Sequence, residues 1–157
     1  MIAPSSHVLL AEVPNEPGLL LAVKVLRKDV VLEDDDVECV RVERAVLALG
    51  TLHPFLTQLH SSTQSPGHLF IAMSFHSGGD LMFHIQMSSN GKFSLQRATF
   101  YAAELVSSLQ FLHGHRVMYR HVPGFIALVG EPSIASCHRA VAFIVLSHNS
   151  LSYNYPR

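Results

Sequence analysis

The sequence predicts an α+β domain: an antiparallel sheet carrying one helix, followed by two more helices. Three observations lead to that expectation. Two apolar runs, residues 7–13 and 19–26, flank Pro14-Asn15-Glu16-Pro17-Gly18. The prolines preset that backbone and Gly18 is free to take positive φ, so the runs pair as a hairpin. An amphipathic stretch at 37–50 then interrupts the strands. Two further apolar runs, 55–61 and 68–75, meet through Ser65-Pro66-Gly67 before helical spacing takes over at residue 81.

Within the second run, Lys24 is the only charge among Leu19-Leu20-Leu21-Ala22-Val23 and Val25-Leu26. Burying a lysine is expensive unless it is paired, so this position asks for an acid. The run Glu33-Asp34-Asp35-Asp36 precedes the predicted helix, where carboxylates cap free amides and suit the positive end of the dipole. Val40, Glu43 and Leu47 are three and four residues apart, which puts Glu43 on an apolar face. Glu43 then either reaches round to solvent or meets Lys24, and the need of a buried lysine favours the meeting. Gly50 reads as the helix stop.

His53-Pro54 breaks the chain before the third strand, and residues 68–75 form the fourth. Ser77-Gly78-Gly79 is a flexible connection, with Asp80 placed to cap a short helix over 81–87. After the polar loop 88–92, Ser94 caps a helix over 95–111 or slightly beyond. Ala98, Ala102, Leu105, Leu109 and Leu112 form its apolar stripe. His113-Gly114-His115 ends it.

Composition narrows the function classes. With 157 residues, 48% hydrophobic and 15% charged, the chain is long and apolar enough for one globular domain. A net charge of −1 argues against a nucleic-acid footprint. Cys39 and Cys137 stand far apart, which indicates neither a disulfide scaffold nor a cysteine zinc site and suits a cytoplasmic setting. Of the 11 histidines, His113, His115 and His121 show no metal-ligand spacing and read as surface and loop positions. The longest apolar run, 140–146, falls well short of the roughly 18 residues of a membrane span. The N-terminus has no signal-peptide pattern.

At this point several segments together resemble a known family. They are Ala22-Val23-Lys24, residues 28–39, Val42-Glu43-Arg44, residues 53–59, Gly78-Gly79-Asp80-Leu81-Met82-Phe83 and Arg97-Ala98-Thr99-Phe100-Tyr101-Ala102-Ala103-Glu104. The chain resembles the catalytic domain of the novel protein kinase C family, in particular its delta-like members, from about residue 7 to 120. The resemblance implies a protein-kinase-like small lobe, with only the first helices of the large lobe behind it. It implies ATP with Mg as cofactor and phosphorylation of serine and threonine hydroxyls. Lys24 matches the lysine that holds the nucleotide's phosphates, and Glu43 its helix partner. Val8 and Ala22 match walls of the adenine pocket, and Met73 the gatekeeper at its back. Ser74-Phe75-His76 matches the hinge, with serine where the family usually has glutamate, and Asp80 an acid near the ribose. Implied partners are regulators or substrates of an intact kinase.

The departures are equally specific. The family's glycine-rich loop should precede Val8, yet Ala3-Pro4-Ser5-Ser6-His7 contains no glycine. His121 stands where the catalytic aspartate belongs. A neutral imidazole accepts protons, but phosphoryl transfer rests mainly on metal ions held by an Asn and an Asp. After His121 there are only Asn149 and Asn154, out of context, and no Asp. The expectation is a partial kinase domain over 1–121 and an unrelated tail over 122–157, truncated relative to the family and without its own catalysis. Two alternatives stand beside it: an interaction module presenting the apolar stripe of the last helix, or an unstable truncated product.

Overall fold

A computed structural model of the chain describes residues 6–119, with Ala127–Leu128, Ala142–Phe143 and Leu151–Tyr153. Strands β1 (Ser6–Glu12), β2 (Leu20–Arg27), β3 (Leu59–Gln64) and β4 (His68–Ser74) form one antiparallel sheet in the order β1-β2-β4-β3. The hairpin closes as its turn chemistry requires. Gly18 takes φ +87°, Val13 N–H donates to Leu19 O at 3.1 Å, and Gly18 N–H donates to Glu12 Oε1 at 3.0 Å. Strand β2 lies between two neighbours, and its residues are apolar except Lys24 and the exposed terminal Arg27.

Helix α1 (Lys28–Glu33) was not legible in the sequence. It is a single short segment with no side-chain cap, held because Val31 is buried beneath it. The acidic run does a different job from the expected one. Asp36 N–H donates to Val31 O at 2.9 Å, closing α1, and Asp35 turns the chain with φ 54°. Asp36 begins α2 (Val37–Leu49) with its main chain only, its carbonyl accepting from Val40 N–H at 3.0 Å.

Gly50 does not stop α2 in the left-handed manner: its φ is −56°, and the chain runs on as a 3-10 turn, Gly50–Leu52. Close approach is what demands glycine here, since a Cβ would lie 2.1 Å from Thr57 O. The third strand begins later than expected, at Leu59 rather than 55. Leu56 and Thr57 are buried, and Phe55 O accepts from Ser108 Oγ at 3.3 Å, so this stretch packs inward instead of extending the sheet.

Helices α3 (Leu81–Gln86) and α4 (Leu95–Gly114) start where their caps predict. Asp80 accepts from Phe83 N–H at 2.6 Å and Ser94 Oγ from Arg97 N–H at 3.3 Å. Ser94→Ala should therefore cost about 1 kcal/mol, read as an earlier urea midpoint at unchanged slope. Two cores form. Ala22, Leu26, Val31, Val40, Leu47, Ile71 and Met73 fill the space between sheet and α2. Val46, Leu56, Tyr101, Leu112 and Val117 join α2 to α4, with Leu105 and Leu109 packed against them. Adjacent residues of α2, Val46 and Leu47, thus serve different cores.

The expected stripe of α4 is accordingly only half right. Leu105, Leu109 and Leu112 face inward, Ala98 and Ala102 stay exposed, and Tyr101, Glu104 and Ser108 complete the buried face. Beyond α4, β5 (Val117–Tyr119) pairs antiparallel with β8 (Leu151–Tyr153), and β6 (Ala127–Leu128) with β7 (Ala142–Phe143). The remaining positions of the expected tail, 122–157, and His121 lie outside the described residues. Among the described residues no helix is long and apolar enough to cross a membrane.

Candidate functional site

Alternation along β2 puts Ala22, Lys24 and Leu26 on one face of the sheet. Residues directly opposite one another across antiparallel strands share a face, and Lys24 lies opposite Val8 on β1 and Ile71 on β4. Ala22 lies opposite Leu10 and Met73 in the same way. Helix α2 covers this face through Val40 and Leu47, and between them it carries Glu43.

Lys24 Nζ reaches both oxygens of Glu43, at 2.7 Å and 2.8 Å. The lysine is 1% exposed and the glutamate 3%. Of the two sequence readings, the structure has Glu43 meeting Lys24. A buried ion pair rarely outdoes an apolar pair of equal volume in stability, because desolvation of both charges offsets their attraction.

The other predicted positions fall around the clasp unevenly. Met73 is fully buried at the end of β4 and Ala22 nearly so, forming a floor beside Lys24. Val8, across from Lys24 on the outer strand, is 49% exposed, a wall open to solvent. Phe75 follows β4 and is partly exposed. Ser74 N–H is taken by Gln58 O at 3.0 Å, so that amide is already satisfied within the protein. Gln58 was not singled out from the sequence. Only the register of residues 55–61, itself misplaced by four residues, would have exposed its role. Asp80 spends one carboxylate oxygen on the cap of α3, and His84 Nε2 lies 2.5 Å from Gly78 O, which pins the connection between hinge and helix.

A separate cleft of about 700 Å³ opens between α1, α2 and strands β3 and β4, with Lys28, Arg41 and Arg44 on its rim. Neither Lys24 nor Glu43 lines it, so it is distinct from the clasp. Cys39 on α2 is no candidate nucleophile: burial, and then Asp36, push its thiol pKa up, away from the reactive thiolate. Among the described residues no group of three or more His, Cys, Asp or Glu is placed to hold a metal ion.

A four-stranded antiparallel sheet, a helix whose glutamate clasps a strand lysine, and a hinge leading into two further helices define a protein kinase small lobe with part of the large lobe. The family model for the protein kinase domain matches residues 6–122, and the chain belongs to that family. Its similarity is to protein kinase C enzymes. It is 57% identical over 113 residues to the delta type of Rattus norvegicus and 56% identical over 113 residues to the eta type of Homo sapiens. A putative delta-type homolog of Drosophila melanogaster is 54% identical over 113 residues. Each match covers 72% of this chain and 16% of the relative, so the chain spans about a sixth of the length of these proteins.

Proposed function

We propose that this chain binds the nucleotide of a serine/threonine protein kinase, ATP, through its small lobe and does not itself transfer phosphate. The observation that carries the reading is the buried clasp of Lys24 by Glu43, which fixes an ammonium on the apolar face of the sheet. The donor set fits the nucleotide at both ends. Ala22, Met73 and Val8 offer apolar surface to a flat base, with the main chain of Phe75 and His76 as its hydrogen-bonding edge. Lys24 would offer its charge to phosphate, and Asp80, by the likeness to protein kinase C, its carboxylate to the ribose.

Mg would neutralise phosphate charge in a complete kinase, where an Asn and an Asp of the large lobe hold it. His121 in the aspartate's place supports a chain without catalysis of its own. We place the chain in the cytoplasm, with a boundary near residue 121, and with regulators or substrates of an intact kinase as partners. All of this rests on the likeness to protein kinase C. The interaction-module reading draws on an exposed α4 stripe, and three of its five residues are packed inward.

Titration with Mg-ATP in a calorimeter tests the proposal, with a thermal melt as second readout. A saturable heat and a raised melting temperature are expected for the wild-type chain. Both should vanish in the Lys24→Met/Glu43→Met double variant, which removes the anchor without leaving a lone charge. A folded wild-type chain that shows no saturable binding would sink the nucleotide reading. Phosphate transfer to a protein-kinase-C-type peptide would sink the inactive one.

A further inference from the structure

The segment between α2 and β3 is tied to α4 by a histidine that the nucleotide reading does not use. His53 Nδ1 accepts the Phe55 N–H at 3.3 Å, and its Nε2 lies 3.3 Å from Ser107 Oγ. A backbone amide only donates, so Nδ1 is unprotonated, the proton sits on Nε2, and Nε2–H donates to the Ser107 hydroxyl. The ring packs on Phe111 of α4, centroids 4.9 Å apart, and meets Phe55 edge-on at 5.6 Å. One residue along α4, Ser108 Oγ shares its single proton between Glu104 O at 2.9 Å and Phe55 O at 3.3 Å. One imidazole thus closes its own loop through Nδ1 and meets α4 through Nε2.

We propose that His53, seated on helix α4, is a proton-operated latch within the loop that follows α2. Neutral, it accepts the Phe55 N–H and holds the turn 53–55 joined. Protonated, its Nδ1 carries a hydrogen that points at the Phe55 N–H, so that bond breaks and the turn opens, while Nε2–H still donates to Ser107.

The surroundings set the direction. The 3-10 turn Gly50–Leu52 presents no titratable group to the ring. On α4, Glu104 and His115 lie about one turn to either side of Ser107 and Phe111, and His115 stacks on the far ring, 4.3 Å from Phe111. From the same core β5 contributes Val117. Burial lowers the His53 pKa below its ordinary 6.5, with no charged neighbour contributing. The joined state therefore prefers the neutral ring. Its stabilisation is complete above about pH 6.5 and is lost as pH falls through the lowered value. The loop also carries Gln58, which holds Ser74 at the entry to the hinge, so opening reaches the segment between clasp and hinge.

Amide exchange on the full chain from pH 7.5 to 5, corrected for intrinsic rates, tests the latch, with the Ile71 amide in β4 as reference. Protection at Phe55 should fall roughly tenfold while Ile71 holds. His53→Asn keeps an acceptor for the Phe55 N–H but cannot titrate, and should abolish the pH response. Glu104→Gln should leave the response intact. The proposal is overturned by no response in the wild type, an equal response in His53→Asn, loss of the response in Glu104→Gln, or a parallel fall at Ile71. Should the asparagine variant not fold, proton NMR of the wild-type ring decides. An apparent pKa below 6.5 that tracks the Phe55 exchange supports the latch; a value at or above 6.5 overturns it.

Discussion

Lys24→Met alone should destabilise the chain by about 3–5 kcal/mol, as should Glu43→Met alone, and the double variant should recover most of that loss. The lysine is 1% exposed and gives two short hydrogen bonds to one carboxylate. Removing it leaves Glu43 charged, in a place that water barely reaches, and without the ammonium that compensated it. Removing both charges leaves two flexible apolar side chains among Ala22, Val40 and Ile71, where methionine packs readily. Urea unfolding of the four proteins gives the coupling directly. If the single losses simply add in the double variant, the two residues are not energetically coupled and the clasp loses its meaning as an anchor. The recovered double variant is also the proper control for nucleotide binding, because it separates loss of the anchor from loss of the fold.

Gly50→Ala should cost about 2 kcal/mol, although the substitution suits the local backbone. With φ −56° and ψ −24°, Gly50 is helical, and helix propensity alone would make alanine better by about 1 kcal/mol. The collision outweighs this. The new Cβ would lie 2.1 Å from Thr57 O and 2.9 Å from Thr57 C, both backbone atoms that cannot swing aside as a side chain would. The chain 53–58 must shift instead, and with it the ties of His53 and of Gln58 O to Ser74. Thermal melting should show a fall of roughly 4–8 °C, given a domain of this size. Gly67→Ala, with nothing within 4 Å of its Cβ, should change stability by less than about 0.5 kcal/mol. A Gly50→Ala chain as stable as the parent would mean that Thr57 is not packed against the end of α2.

The features that were legible in the sequence are those that neighbouring residues encode. The hairpin followed from Pro14 to Gly18, the start of α3 from Asp80, and that of α4 from Ser94, each a local hydrogen-bonding or backbone preference realised by atoms a few residues away. The clasp was legible for a different reason. A lysine in an apolar strand needs a partner, and a glutamate on an apolar helix face is short of solvent, so two unfavourable positions pointed to each other. Val8, Ala22, Met73, Phe75 and Asp80 entered through the resemblance. The sheet register brings Val8, Ala22 and Met73 onto the face of Lys24, leaving Val8 half open.

The misreadings share one cause. Residues 55–58 have strand-like composition, but Phe55 and Leu56 are drawn towards α4, more than forty positions away, Thr57 lies against Gly50, and the stretch leaves the sheet. The α4 stripe was placed by periodicity alone, which gives a face but not its width, so Ala98 and Ala102 were assigned to a surface that stays in solvent. Helix α1 has no cap of its own and exists because Val31 fills the core under α2 and β4.

By itself, then, the sequence determined the order of elements, the turns and caps that bound them, and the demand that Lys24 meet an acid, because these depend on local chemistry or on the cost of an isolated charge. Only the tertiary structure decided why Gly50 must be glycine, where β3 begins, which side of α4 is inside, and that His53 joins α2's loop to α4. Each of those depends on a backbone carbonyl, a ring or a hydroxyl brought from elsewhere in the chain, and no spacing along the sequence records such an approach.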